Sequence, residues 1–188
     1  MKNIIFLSFI LLCFVVPTIS AQRYLSGMRG MQFTAGSVNA LNLEKGAHWG
    51  VAFSQYNKRA DRWVFGAEYL EKRHKYKDWI IPQSQITIDA GYYLKFLSDS
   101  RKTFFVSIGA SGMAGYETIN WNVKLLPDGA TIENNDAFLF GGALTLEIET
   151  YITDRLVLLA NVRQRLVWGS SVGKLNTQFG IGIKVIVN

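Results

Sequence analysis

From about Gly30 to its end the chain alternates with a period of two, and no other feature limits its fold so tightly. In Trp49–Gln55, Trp49, Val51 and Phe53 share one parity. Trp63, Phe65, Ala67 and Tyr69 oppose Val64, Gly66, Glu68 and Leu70. Ile86, Ile88, Ala90, Tyr92, Leu94 and Phe96 oppose Gln85, Thr87, Asp89, Gly91, Tyr93 and Lys95. The pattern recurs around Phe104–Ser111, Phe138–Glu149, Leu156–Arg163 and Gln178–Asn188. With a first strand near Met31–Ser37, this predicts about eight strands. Most exceed the ~5–6 residues usual in soluble sheets and reach the ~9–11 that a tilted membrane strand needs. No stretch beyond the first 21 residues has a helical period.

The connectors alternate in length. Asn57–Asp61, Ser98–Arg101 and Thr153–Asp154 read as short turns. Asn39–Gly46, Lys72–Gln83 and Glu117–Asp136 read as long loops, and Gly169–Lys174 as an intermediate one. Short turns on one rim and long loops on the other is the outer-membrane arrangement, with the short turns and both termini periplasmic. Aromatics cluster at strand ends: Trp63, Phe96, Phe104 and Tyr151 by the short turns, and Trp49, Tyr69, Tyr116, Phe138 and Trp168 by the long loops. Two such girdles suit the two bilayer interfaces. A soluble lipocalin-like barrel is the competing reading, with its apolar side inward. The uniformly bulky apolar parity argues against it, because a small barrel interior holds only some large side chains. The expected fold is an all-β, closed, antiparallel transmembrane barrel of about eight strands with a side-chain-filled lumen.

Residues 1–21, MKNIIFLSFILLCFVVPTISA, read as a cleaved signal peptide: Lys2, an apolar run from Ile4 to Val16, then small residues. The run is shorter than the ~18–20 residues of a membrane helix. Residues 22–29 then form a short periplasmic segment and 30–188 the barrel. The only cysteine, Cys13, lies in the signal, so disulfides and thiolate metal sites are excluded from the mature chain. Leu12 before it is too large for a lipoprotein acylation site. The net charge of +6 is dispersed, which points to solubility or anionic lipid and away from sequence-specific nucleic-acid binding. The 3 prolines and the 13% aromatic content suit long strands.

The polar parity carries Glu68, Asp89, Glu147 and Glu149 against Lys95, Arg163, Arg165 and Lys184. In a closed barrel all eight point into the lumen, where opposite charges must pair. A plugged barrel follows, and not a pore. Glu147 and Glu149 share a strand face and resemble an acid–base pair, but no nucleophile or cleft accompanies them, which favours a structural network. His48 and His74, the two histidines, lack partners at metal-ligand spacing. A rim-located enzyme acting on lipid or peptide would need one of them. Lys72, Arg73, His74, Lys75 and Lys77 form the one basic run, read as a solvated loop, with contact to lipopolysaccharide phosphates, a partner pilus or DNA in transit as the functional alternatives. Gly109, Gly112 and Gly115 lack the helix start of a phosphate-binding loop and fit close packing in a small barrel.

The segments WVFGAEYLEK (63–72), GYYLKFLSD (91–99), AGYET (114–118), LPDGA (126–130), ETYITDR (149–155), WGSSVGK (168–174) and TQFGIGIKVIVN (177–188) resemble the TraO family. Its members are encoded among the transfer genes of Bacteroidetes conjugative transposons. The resemblance implies a part in conjugative DNA transfer, with other conjugation proteins as partners, alone or in a homo- or hetero-oligomer. It brings no catalytic residues and no cofactor. Tyr24 stands where some relatives carry Cys, so a lipid anchor there would be missing. The chain ends in Val187–Asn188 and not in the terminal Phe usual for outer-membrane barrels. The expected function is a non-enzymatic scaffold or anchor in the donor outer membrane. The alternatives are a general adhesion or envelope-integrity barrel and, further off, the rim enzyme.

Overall fold

The structure is a computed structural model and describes residues 26–39, 43–57, 59–77, 79–124, 129, 131–132, 136–170 and 173–187. The signal peptide, Tyr24 and Asn188 lie outside them. Eight strands follow in chain order: β1 Arg29–Val38, β2 Gly46–Tyr56, β3 Arg62–Tyr76, β4 Trp79–Ser98, β5 Phe104–Ile119, β6 Ala137–Tyr151, β7 Leu156–Trp168 and β8 Leu175–Val187. Each pairs antiparallel with the next, and β1 pairs with β8 from Arg29↔Val187 to Val38↔Gln178. The sheet is a closed barrel, so no strand edge is left open along the wall.

The apolar parity faces out. Phe33, Val51, Phe65, Ile88, Ile108, Leu144, Leu158 and Ile181 are all exposed large hydrophobics on the outer wall. An apolar belt of this extent is stable only against lipid, which makes the molecule a transmembrane barrel. Rings edge the belt in cross-strand pairs. Trp63 meets Tyr92 edge-on at 4.9 Å near the short turns; Trp49 stacks on Tyr69 at 4.7 Å and Tyr116 meets Phe138 at 5.5 Å near the other rim. Tyr151 departs from the expected girdle. It turns inward against Phe105, 5.7 Å between centroids, within an apolar cluster that also holds Met28, Tyr56, Val157, Leu159 and Ile186. That cluster closes the barrel at the rim carrying both strand termini.

The turns at this rim are tight: Asn57 N–H donates to Asp61 O, Lys102 N–H to Asp99 O and Ile152 N–H to Leu156 O. Two of the long loops prove to be shorter than the sequence suggests. β3 runs on to Tyr76 and β4 begins at Trp79, so Lys72–Tyr76 pairs with Trp79–Gln83 as a ribbon. Likewise β5 continues through Glu117 to Ile119, before a single 3-10 turn at Asn120–Asn122. Strand propensity and hairpin pairing outweigh the charge that made both segments read as loops.

Close approach explains most of the glycines singled out above. A Cβ on Gly109 would stand 2.6 Å from the Tyr93 ring, and one on Gly115 would stand 2.2 Å from Ile86 O. Gly112, one position out of phase, faces outward with nothing within 4 Å of such an atom.

Candidate functional site

The inner parity brings the predicted charges together in the lumen, with one exception. Lys95 is exposed. The last β3–β4 pair is Arg62↔Tyr93, so Lys95 stands beyond the end of its neighbour, beside a bulge between Lys95 and Leu97. There its backbone N–H donates to Asp61 Oδ1 and its side chain is exposed. Arg62 fills the level that Lys95 was expected to fill. Arg62 shares the inward parity of Val64, Gly66 and Glu68, one position before the alternation that reads from Trp63.

Next to the apolar plug lies the tightest cluster. Arg62, fully buried, donates to Glu147 at 2.5 Å and to Glu149 at 3.2 Å. It also donates to Ser107 Oγ at 3.0 Å and lies 5.0 Å from the centroid of the Tyr93 ring. Lys184 pairs with Glu149, stands 3.6 Å from Glu147 and donates to Tyr56 OH at 3.0 Å. Tyr56 OH in turn donates to Glu149 at 2.9 Å. Two cations and two carboxylates thus share one buried cage.

Mid-lumen, Arg165 donates to Glu68 at 2.8 Å, and Arg163 pairs with Asp89 at 3.1 Å and lies 3.5 Å from Glu68. Gln178 adds a bond to Glu68 at 2.6 Å. Near the long-loop rim, the buried Glu117 carboxylate accepts from Gln83, Gln85 and Ser170 at 2.7, 2.7 and 2.8 Å. Lys72 points inward and donates to Asn176. The basic run is therefore no solvated loop. It divides by parity: Lys72 and His74 face in, His74 bonded to Gln83, while Arg73 and Lys75 face out and Lys77 sits at the turn.

Among the described residues the lumen holds Arg62, Lys72, Arg163, Arg165 and Lys184 against Glu68, Asp89, Glu117, Glu147 and Glu149. The two sets are equal in number, so the filling is electrically neutral. Buried charges persist only when paired and hydrogen-bonded; the terminal nitrogens of Arg62, Arg163 and Arg165 meet this condition, while Nε of Arg163 and of Arg165 has no hydrogen-bond partner among the described residues. A cavity of about 40 Å³ remains mid-lumen, lined by Gln32, His48, Asp89, Thr145, Arg163 and Gln178 among others. At ~10–15 Å³ for each water position it can take a few waters and no solute of substrate size. His48 lies in this interior, 3% exposed. Its imidazole fits because β1 and β8 are glycine there: a Cβ on Gly36 would stand 2.7 Å from His48 Cε1 and 1.9 Å from Phe179 O. No group of three or more His, Cys, Asp or Glu among the described residues is placed to hold a metal ion.

Outside the wall, Asp99 organises the β4–β5 turn, accepting from Thr103 N–H at 2.6 Å and Phe104 N–H at 3.0 Å. Desolvation pushes its carboxyl up, but the backbone N–H groups of Phe104, Thr103 and Arg101 outweigh it and hold the group below the usual carboxylate range.

The sequence pattern of the family described as "Conjugative transposon protein TraO" matches residues 25–187. The chain belongs to the TraO family. No curated protein matches it. Among solved structures, this TraO barrel is similar to Neisserial surface protein A, with a TM-score of 0.59 at 16% identity over 85% of this chain and 97% of that one. It is also similar to the N-terminal β-barrel domain of Pseudomonas aeruginosa OprF, with a TM-score of 0.53 at 12% identity over 86% and 98%. The Yersinia pestis attachment invasion locus protein Ail, solved with the heparin analogue sucrose octasulfate, gives 0.55 at 8% identity over 87% and 100%. At these identities the likeness concerns the fold. Family and fold together describe a conjugation-related barrel of the outer-membrane type.

Proposed function

We propose that this TraO-family barrel is a non-enzymatic scaffold or anchor of a conjugative transfer apparatus in the donor outer membrane. Its termini and short turns are periplasmic, and its partners are other proteins of the apparatus. The neutral, side-chain-filled lumen carries this reading. An open aqueous channel takes ~16–18 strands, whereas this barrel has eight, closed at one end by the Met28–Ile186 cluster and crossed by two ion-pair layers. A single copy cannot conduct DNA, so its contribution is positional.

The rim-enzyme alternative loses ground on particular residues. A rim enzyme would need an accessible general base, but His48 is buried in the lumen and His74 is tied to Gln83. Glu147 and Glu149 are each engaged by Arg62 and Lys184, and the lumen cavity that Glu147 lines holds only about 40 Å³.

The test is the transfer frequency of a donor with a clean deletion of this gene, with and without a plasmid copy. A collapse restored by the plasmid is expected. Unchanged transfer would refute the apparatus role and put adhesion or envelope integrity in its place.

A further inference from the structure

The basic run is the motif that the lumen does not absorb. β2 stops pairing at Gly46↔Lys72 and β5 at Gln83↔Ile119, so in the sheet ladders Arg73–Tyr76 and Trp79–Pro82 pair with each other alone, and one further bond ties Arg73 to the residue before β2. This two-stranded ribbon stands beyond the barrel wall. On its outward parity are Arg73 and Lys75, both exposed, facing the same side as the apolar belt below. Arg73 N–H donates to Lys45 O, which brings a third exposed cation alongside. Lys77 adds a fourth at the turn, 5.2 Å from the Tyr76 ring. The carboxylates nearby among the described residues are Glu44 and Glu71. Glu71 takes Arg73 Nε at 2.9 Å and Tyr69 OH at 3.4 Å, which fixes the stance of the guanidinium. With Asp78, next to Lys77 in the sequence, added to the two, four cations against three carboxylates still leave the patch positive.

Directly below on the same strands is an apolar groove of about 430 Å³. Phe33, Trp49, Tyr69 and Ile86 wall it, and Val51 and the small Ala67 give it depth. The stacked Trp49–Tyr69 pair marks its upper end at the interface. From Ala67 to Arg73 is six residues of one strand, roughly 20 Å at ~3.4 Å each. At a tilt of ~35–45° that is about 15 Å along the bilayer normal, close to half of a ~30 Å hydrocarbon core. The vertical order is therefore acyl-chain groove, aromatic interface, cationic shelf.

We propose that this face is a binding seat for a phosphorylated glycolipid of the outer leaflet, its phosphates on Lys45, Arg73 and Lys75 and an acyl chain in the groove under Trp49. Guanidinium and ammonium groups bind phosphate by charge-assisted hydrogen bonds, and the groove selects for an attached chain over a free anion. The assignment of the leaflet rests on the orientation given under Proposed function.

The protein, in neutral detergent micelles, is mixed with diphosphoryl lipid A, and retained lipid is counted by native mass spectrometry. One lipid per barrel is expected. Retention should fall at least tenfold in K45Q/R73Q/K75Q, in A67F, and when the lipid phosphates are removed. Inorganic phosphate at the same concentration should not displace it. Retention unchanged by both variants, retention of the dephosphorylated lipid, or full displacement by inorganic phosphate would each overturn the seat. Heat-shifted gel migration confirms that each variant is folded; A67F keeps the test alive if the triple variant is not. Orientation is read separately by labelling K77C in intact cells with an impermeant maleimide. Labelling without lipid retention sinks the seat alone. Retention without labelling sinks the leaflet assignment and the periplasmic termini together.

Discussion

Replacing Arg62 by Met isolates the balance of charge in the lumen. Met keeps most of the side-chain volume but removes the contacts to Glu147 at 2.5 Å, Glu149 at 3.2 Å and Ser107 at 3.0 Å. Lys184 then faces two buried carboxylates alone, and the cage acquires a net charge of minus one. Breaking a buried ion pair by removing one partner costs about 3–5 kcal/mol, most of it the burden of the stranded charge. Loss of the cation–π contacts with Tyr93 and Tyr56 adds ~0.5–2 kcal/mol. The expected destabilisation is therefore at least ~3 kcal/mol, which is more than a hundredfold in the folding equilibrium at ~1.4 kcal/mol per decade. Urea unfolding of the barrel in lipid vesicles, followed by tryptophan emission, reads this as a fall in midpoint at unchanged slope. R62M/E147Q restores neutrality and should recover at least half of the loss, since paired removal leaves no stranded charge. An R62M midpoint shifted by under ~1 kcal/mol, or strictly additive single variants, would refute the idea that neutrality holds the lumen.

Arg in place of Ile88 or Ile181, which are 64% and 73% exposed on the lipid face, should cost ~2–4 kcal/mol in the same assay. Normal stability of both variants would reverse the facing of the wall. Gly36→Ala should destabilise by ~1–3 kcal/mol because its Cβ meets Phe179 O and the His48 ring, whereas Gly112→Ala, with open space around it, should fall within ~0.5 kcal/mol of the parent. Lys102 holds a positive φ of 53° in the β4–β5 turn, so Lys102→Gly should raise stability by up to ~1 kcal/mol. The Asp99 carboxyl, lowered in the fold, contributes stability that is present above its unfolded value of ~3.9 and is lost as pH falls through the folded value beneath it. Asp99→Asn should flatten that part of the acid-unfolding curve, and an unchanged curve would count against the turn.

The sequence by itself determined the number of strands, the outward parity and the seven lumen charges Glu68, Asp89, Glu147, Glu149, Arg163, Arg165 and Lys184. A side chain's face follows from counting by two along one strand, and counting needs no knowledge of neighbours. It did not determine where a strand ends relative to the next one. Lys95 has the inner parity but stands exposed past the end of β3, while Arg62 at the margin of a turn is fully buried. Lys72 and Glu117 looked like loop charges until cross-strand pairing carried β3 to Tyr76 and β5 to Ile119. Tyr151 looked like a girdle residue until closure of the barrel set it against Phe105. In each case the deciding quantity is register, a relation between two strands far apart in the chain. Register is fixed only when all eight hydrogen-bond ladders close at once.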